Sequence, residues 1–245
     1  MKTHNVSFSI FISIICILLL SCTFNIVSKP CSDKTPKKEV RNLDKFDGIE
    51  LSVAADIQLT QGTPQKLEIE GRTCDLENIV TKINGSSLHI KNDHSIFGTS
   101  REKVTIYITV QDINKLSIAG SGSIFAKSAI SINDLRLNIA GSGSINIPDL
   151  KATNVNSSIA GSGSIEISGK EKLEKHSIDI AGSGDVKAKD ILTSIAEINI
   201  MGSGSCYLNV ADKIKAHISG SGDIFYAGKP SVESSVAGSG KIKPL

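Results

Sequence analysis

LSIAGSGSIFAKSAISINDLRLNIAGSGSI, residues 116–145, contains the motif Ile-Ala-Gly-Ser-Gly-Ser-Ile twice, at 118–124 and 139–145. Gly-Ser-Gly recurs along the rest of the chain, seven times in all. The glycine pairs are Gly120/Gly122, Gly141/Gly143, Gly161/Gly163, Gly182/Gly184, Gly202/Gly204, Gly220/Gly222 and Gly238/Gly240. Successive pairs are 21, 20, 21, 20, 18 and 18 residues apart. Two residues before each pair stand Ile118, Ile139, Ile159, Ile180, Ile200, Ile218 and Val236. Two residues after it stand Ile124, Ile145, Ile165, Val186, Cys206, Ile224 and Ile242. A period of two sends these side chains to one face of a strand.

Each unit therefore supplies two short strands joined through glycines, with a third apolar stretch such as residues 129–135 or 191–195. One unit cannot bury its own aliphatic face; stacked units can. The fold class expected is all-β, a right-handed parallel β-helix with coils of about 20 residues. At about 4.8 Å per step, seven coils give a stack of roughly 29 Å. Both glycines of each pair are expected at a corner, where φ turns positive and neighbouring backbones approach closely. Cys206, standing in an aliphatic column, is expected to be a buried thiol. The Leu-x-x-Leu-x-Leu pattern of leucine-rich repeats is absent, and a propeller blade needs about forty residues.

Composition agrees. Of the 245 residues 40% are apolar, tryptophan is absent and aromatics are 4%, which favours aliphatic strands broken by turns. Residues 43–115 lack Gly-Ser-Gly but still alternate. Ile49, Leu51 and Val53 do so, then Ile57 and Leu59, Leu88 and Ile90, and the run Val104, Ile106, Ile108, Val110. Asn84-Gly85 signals a tight turn, and residues 76–83 suggest a helical turn or two. This half reads as irregular coils that open and cap the solenoid, ahead of the regular repeat over 116–245.

The segments Phe46-Asp47-Gly48-Ile49-Glu50-Leu51 and Ile57-Gln58-Leu59-Thr60-Gln61-Gly62 come first. Asn84-Gly85-x-x-Leu88-x-Ile90, the 104–110 strand and the serial Gly-Ser-Gly coils follow. Together they resemble the head GIN domain family, described as putative auto-transporter adhesins and common in Bacteroidetes. The resemblance covers roughly residues 40–245. It implies a right-handed β-helix on the cell envelope and brings no catalytic residues with it. Met201 and Ser219 depart from the alanine that otherwise precedes the first glycine.

The N-terminus reads as a targeting device. Lys2 and His4 precede an uncharged apolar run over residues 6–20, too short to span a bilayer and suited to a signal peptide. It ends in Leu19-Leu20-Ser21-Cys22, which resembles the bacterial lipoprotein signal. Cys22 is the lipidation site implied, with residues 1–21 removed and 22–42 a lipidated start and flexible tether. Thr23 stands where an inner-membrane retention signal usually has Asp, which favours the outer membrane. Cys31, Cys74 and Cys206 remain, without metal spacing, and a Cys31–Cys74 disulfide is possible in an oxidising compartment.

No cofactor or metal is expected. Gly-Ser-Gly here precedes strands and not the helix a phosphate loop needs. Gly184-Asp185 and Gly222-Asp223 lack the nonapeptide period of calcium solenoids. The net charge, +2 before and +1 after loss of Lys2, gives no bulk argument for nucleic acid. Acids are scattered, and His89, His176 and His217 lie far apart and read as solvated surface residues. The function expected is adhesion or ligand binding without catalysis. A glycan-active β-helix enzyme and a purely structural spacer are the alternatives. The row three residues after each second glycine is Phe125, Asn146, Glu166, Lys187, Tyr207, Phe225 and Lys243. Phe125, Tyr207 and Phe225 are the candidate contacts, for a polysaccharide or another envelope protein, or else a shield over strand backbone.

Overall fold

The computed structural model describes residues 35–93 and 104–245. The signal segment, Cys22 and Cys31 lie outside the described residues. Within them the chain is a stack of parallel coils, as the repeat requires. Strands before each Gly-Ser-Gly form a rear wall and strands after it a front wall. Every repeat aligns in register. Ile139 lies between Ile118 and Ile159 on the rear wall, and Ile145 between Ile124 and Ile165 on the front. Up to the last coil these columns are buried almost completely. Each aliphatic side chain so buried contributes about 1.5–3 kcal/mol before the entropy of ordering is set against it.

The third apolar stretch does not form a separate strand in the earlier coils. It runs continuously into the rear wall, as in Ile130–Gly141 and Leu150–Gly161, and sends Ile130, Leu150 and Leu173 into the core. The later coils are two to three residues shorter. Their pairing slips between Ala188 and Leu192 and again between Thr193 and Ile195, which absorbs the difference.

The two glycines of the motif do different work, which corrects the expectation that both turn the corner. Positive φ belongs to the first of each pair, Gly120, Gly141, Gly161, Gly182, Gly202, Gly220 and Gly238, with values from +124° to +134°. The second of each pair, Gly122, Gly143, Gly163, Gly184, Gly204, Gly222 and Gly240, lies outside the left-handed region and is no corner residue by its backbone. Close packing keeps those positions glycine instead. A Cβ at Gly122 would meet the carbonyl oxygens of Val53 at 2.8 Å and Ala55 at 2.9 Å, in the coil beneath. At Gly204 it would run into the Gly184 carbonyl oxygen and Ile180, and at Gly240 into the Gly222 carbonyl oxygen and Ile218. The first glycine therefore turns the corner, and both let one coil settle on the next.

Cys206 takes its place between Val186 and Ile224, fully buried and unoxidised. Burial pushes its thiol pKa up, so thiolate is scarce.

Chain order and stacking order differ in the first half. The coil made by Gly48–Ser52 and Ala55–Gln61 stacks directly under the first Gly-Ser-Gly coil. Ser87–Asn92 and Val104–Val110, later in sequence, pack on its other side. Antiparallel strands then close this end. Lys66–Arg72 pairs with Val104–Val110, Ile79–Asn84 with Ser87–Asn92, and Pro36–Arg41 with Lys66–Arg72.

Two expectations about this first half are corrected as well. The helical turn falls at Thr73–Glu77, whereas Ile79–Asn84 is a hairpin strand leading into the turn at Gly85, φ +61°. The tether expected over 22–42 ends early, because Pro36–Arg41 is a strand. Its side chains are mostly polar, so no apolar alternation announced it. The Arg41 guanidinium fixes it by donating to the carbonyl oxygens of Leu76 (3.1 Å) and Ile79 (2.6 Å) and to Thr81 Oγ1 (3.2 Å). Cys74 is disulfide-bonded, with its partner outside the described residues.

At the opposite end, among the described residues, Ser231–Gly238 pairs with Ser205–Gly220 alone. Its column residues Val232 and Val236 are accordingly 40% and 42% exposed.

One polar pair interrupts the core. Ser157 Oγ and His176 Nε2 are 2.9 Å apart, and both residues are fully buried. Reading His176 as a surface residue is therefore corrected. It shares the inward parity of Ile178 and Ile180. His89 sits partly exposed beside Glu50, 3.2 Å away, and His217 is exposed.

Candidate binding face on the front wall

The row anticipated three residues after each second glycine is continuous. Phe125, Asn146, Glu166, Lys187, Tyr207, Phe225 and Lys243 pair one after another across the front wall. Strand alternation points them outward, because Ile124, Ile145, Ile165, Val186, Cys206 and Ile224 alternate with them into the core. The row also extends past Phe125 through Gln58 to Tyr107. Sequence reading missed Tyr107. Its strand shows the right alternation, but without a Gly-Ser-Gly nothing fixed its register against the regular coils.

Tyr207 and Phe225 stack with ring centroids 4.9 Å apart and planes 4° from parallel. At that separation the rings face one another and do not lie side by side. Lys243 Nζ sits 4.8 Å from the Phe225 centroid, and it belongs to the coil on the side away from Tyr207. Phe225 is thus held between a ring and a cation. Phe125, 39% exposed, carries Lys127 Nζ 4.7 Å from its centroid. Tyr107 repeats the arrangement with Lys38 at 4.7 Å, and its hydroxyl donates to Glu70 at 2.9 Å. That hydrogen bond to a carboxylate raises the Tyr107 pKa. Such ring–cation contacts contribute about 0.5–1 kcal/mol each at exposed sites.

This geometry changes what the rings can do. Phe225 has both faces covered and cannot serve as an open platform for a flat ligand. Tyr207 and Phe225 instead form a ridge of ring edges flanked by Lys187 and Lys243. In the neighbouring outward column the carboxylates are engaged. Ser123 Oγ donates to Asp56, and Asp185 and Asp223 accept the backbone N–H of Ser205 (3.2 Å) and Lys241 (2.8 Å). Across the wall Lys187 pairs with Glu166 and Tyr207, and Lys243 pairs with Phe225.

Among the described residues no cluster of three or more His, Cys, Asp or Glu could hold a metal ion. Among them also no helix is long and apolar enough to cross a membrane.

The model of the family described as "Putative auto-transporter adhesin, head GIN domain" matches residues 45–230. The chain belongs to the head GIN domain family. Solved structures share the fold. A putative adhesin from Bacteroides fragilis aligns with a TM-score of 0.80 at 24% identity, over 86% of this chain and 98% of its own. A protein from Parabacteroides distasonis named a putative lipid binding protein aligns at 0.72 and 27% identity, over 86% and 96%. A putative adhesin from the same organism aligns at 0.69 and 19% identity, over 87% and 98%. No curated protein matches. The expected parallel β-solenoid and the family resemblance both hold. Membership in this head GIN family connects the chain with adhesin-type proteins of the cell envelope.

Proposed function

We propose that this head GIN chain is a lipid-anchored adhesin of the cell envelope, most simply of the outer membrane, that binds through its front wall without catalysis. The observation that carries the reading is the distance of the ring ridge from the strand Pro36–Arg41, the described strand nearest Cys22 in sequence. The chain enters at Pro36–Arg41, on the antiparallel end. Eight to nine strand steps along the front wall separate that strand from Tyr207 and Phe225. At about 4.8 Å per step the ridge stands roughly 40 Å from the entry strand. An anchor at Cys22 would hold the entry end near the membrane and leave the ridge accessible beyond it. Weak contacts made by many copies on one surface then add up.

Two expectations test the parts of this reading separately. Cys22→Ala should release the protein from membranes into the soluble fraction; quantitative membrane retention would show that the anchor lies elsewhere. Tyr207→Ser with Phe225→Ser should cut attachment of protein-bearing cells or beads several-fold while the unfolding midpoint moves little. Unchanged attachment would make the ridge a shield over strand backbone. A collapse of stability would make the rings part of the core.

A further inference from the structure

The front wall carries a charge pattern with a period of its own. Lys127, Lys187 and Lys243 are all exposed. Lys127 lies over Phe125, Lys187 follows three coils later, and Lys243 follows three coils after that. At about 4.8 Å per coil, cations on this wall recur every three coils, ~14 Å, with Lys187 and Lys243 in the row and Lys127 two residues along the strand from it, reaching back over Phe125. The columns of paired strands beneath hold that spacing. Glu166 is the single acid in the row between Phe125 and Lys243.

We propose that this row binds a linear acidic polysaccharide laid along the solenoid axis, with successive carboxylates reaching Lys127, Lys187 and Lys243. The assignment rests on the front wall being the contact face and names what it contacts. An extended pyranose chain advances by close to one strand spacing per sugar, so three coils correspond to three sugars. A polymer in which every third sugar turns its carboxylate to the same side therefore meets a lysine at each turn. Between the lysines, the edges of Tyr207 and Phe225 meet sugar C–H groups, and the Asn146 amide meets hydroxyls. An acidic protein surface has no constant repeat to match this one.

The test uses the full-length chain with α-1,4-linked galacturonic acid oligomers of increasing length. Carboxyl-reduced oligomers and polyglutamate serve as comparisons. Binding should strengthen with length until the oligomer spans the six coil steps from Phe125 to Lys243, then level off. It should weaken as salt is raised, since exposed charges are screened. Changing Lys127, Lys187 and Lys243 together to Gln should reduce affinity by about 10-fold or more, from exposed charge contacts of modest individual strength. Glu166→Gln should raise it, and Lys151→Gln with Lys172→Gln, off the row, should leave it unchanged. Equal binding of the carboxyl-reduced oligomers, equal binding of polyglutamate, or an unaffected triple variant each overturns the proposal. If target attachment still depends on Tyr207 and Phe225 while no galacturonan binds, the acidic-glycan assignment falls and the contact face stands. If attachment ignores those rings as well, both fall.

Discussion

Gly161→Val is expected to prevent the stacked domain from forming at ordinary temperature, or to lower its stability by about 4 kcal/mol or more. Two effects combine. The residue's φ of +126° is one that β-branched residues almost never adopt, and the new Cβ would lie 2.4 Å from a backbone carbonyl oxygen of the coil beneath. Backbone cannot step aside as a side-chain tip can, because Gly141 is itself held between Gly120 and Gly161 in the column. Ser162→Val, one residue on and exposed, should change stability by no more than about 0.5 kcal/mol. Urea unfolding followed by circular dichroism compares the two. Equal midpoints would mean the corner is not packed as described.

Acid should destabilise the domain through His176 as pH falls below 6.5. Burial holds the folded-state pKa of this imidazole down at about 3, against 6.5 for the free side chain. Its Nε2 meets Ser157, while its Nδ1 is buried without a partner. The unfolded chain therefore takes up a proton as pH falls through 6.5, and the folded chain does not until about 3. More protons bound in the unfolded state means stability rises with pH in this window. The contribution is fully present above 6.5 and is lost steadily below it, the loss reaching about 5 kcal/mol as pH falls to about 3. Ser157→Ala with His176→Leu removes the titrating group and its partner together, leaving no orphaned hydroxyl. That double variant should show a much flatter stability profile between about pH 6 and 4 than the parent, measured by denaturant midpoints at each pH. Parallel profiles for the two proteins would assign the acid sensitivity to other groups.

Most of the regular half was legible in the sequence because one tripeptide set the register. Once Gly-Ser-Gly was aligned, parity assigned Ile118, Ile124 and Cys206 to the core and Lys187 and Tyr207 to the outer face. The same parity identifies Ser157 and His176 as inward, two polar residues in successive coils among Leu137, Val155 and Ile178. Residue type suggested a surface histidine, and in a stack this regular position outweighs type. The division of labour within each glycine pair was hidden for a related reason. Glycine satisfies both a positive φ and a close backbone approach, so its identity alone cannot say which of the two Gly120 and Gly122 each meets.

The first half was harder for a physical reason. Its coils close through antiparallel strands and stack out of chain order, and pairings between Gly48–Ser52 and Ser87–Asn92 leave no mark in the local pattern. The Pro36–Arg41 strand is held by backbone pairing and by Arg41, and alternation cannot reveal that. The candidate face was legible as a row, but the way its rings are oriented was not. Face-to-face stacking of Tyr207 on Phe225 depends on rotamers that the strand pattern leaves open.

The central claim, that the front wall is the surface that meets the target, is tested most directly by a thiol-reactivity footprint. Cys206 is buried, so single cysteines placed at exposed or partly exposed positions report on their own surroundings. Asn146→Cys and Lys187→Cys sample the front wall, and Arg136→Cys and Glu174→Cys sample the rest of the coil. Binding to target cells or beads should slow labelling at 146 and 187 and leave 136 and 174 at their free rates. Protection at 136 or 174 with 146 and 187 still fully reactive would contradict the account and move the contact surface off the front wall.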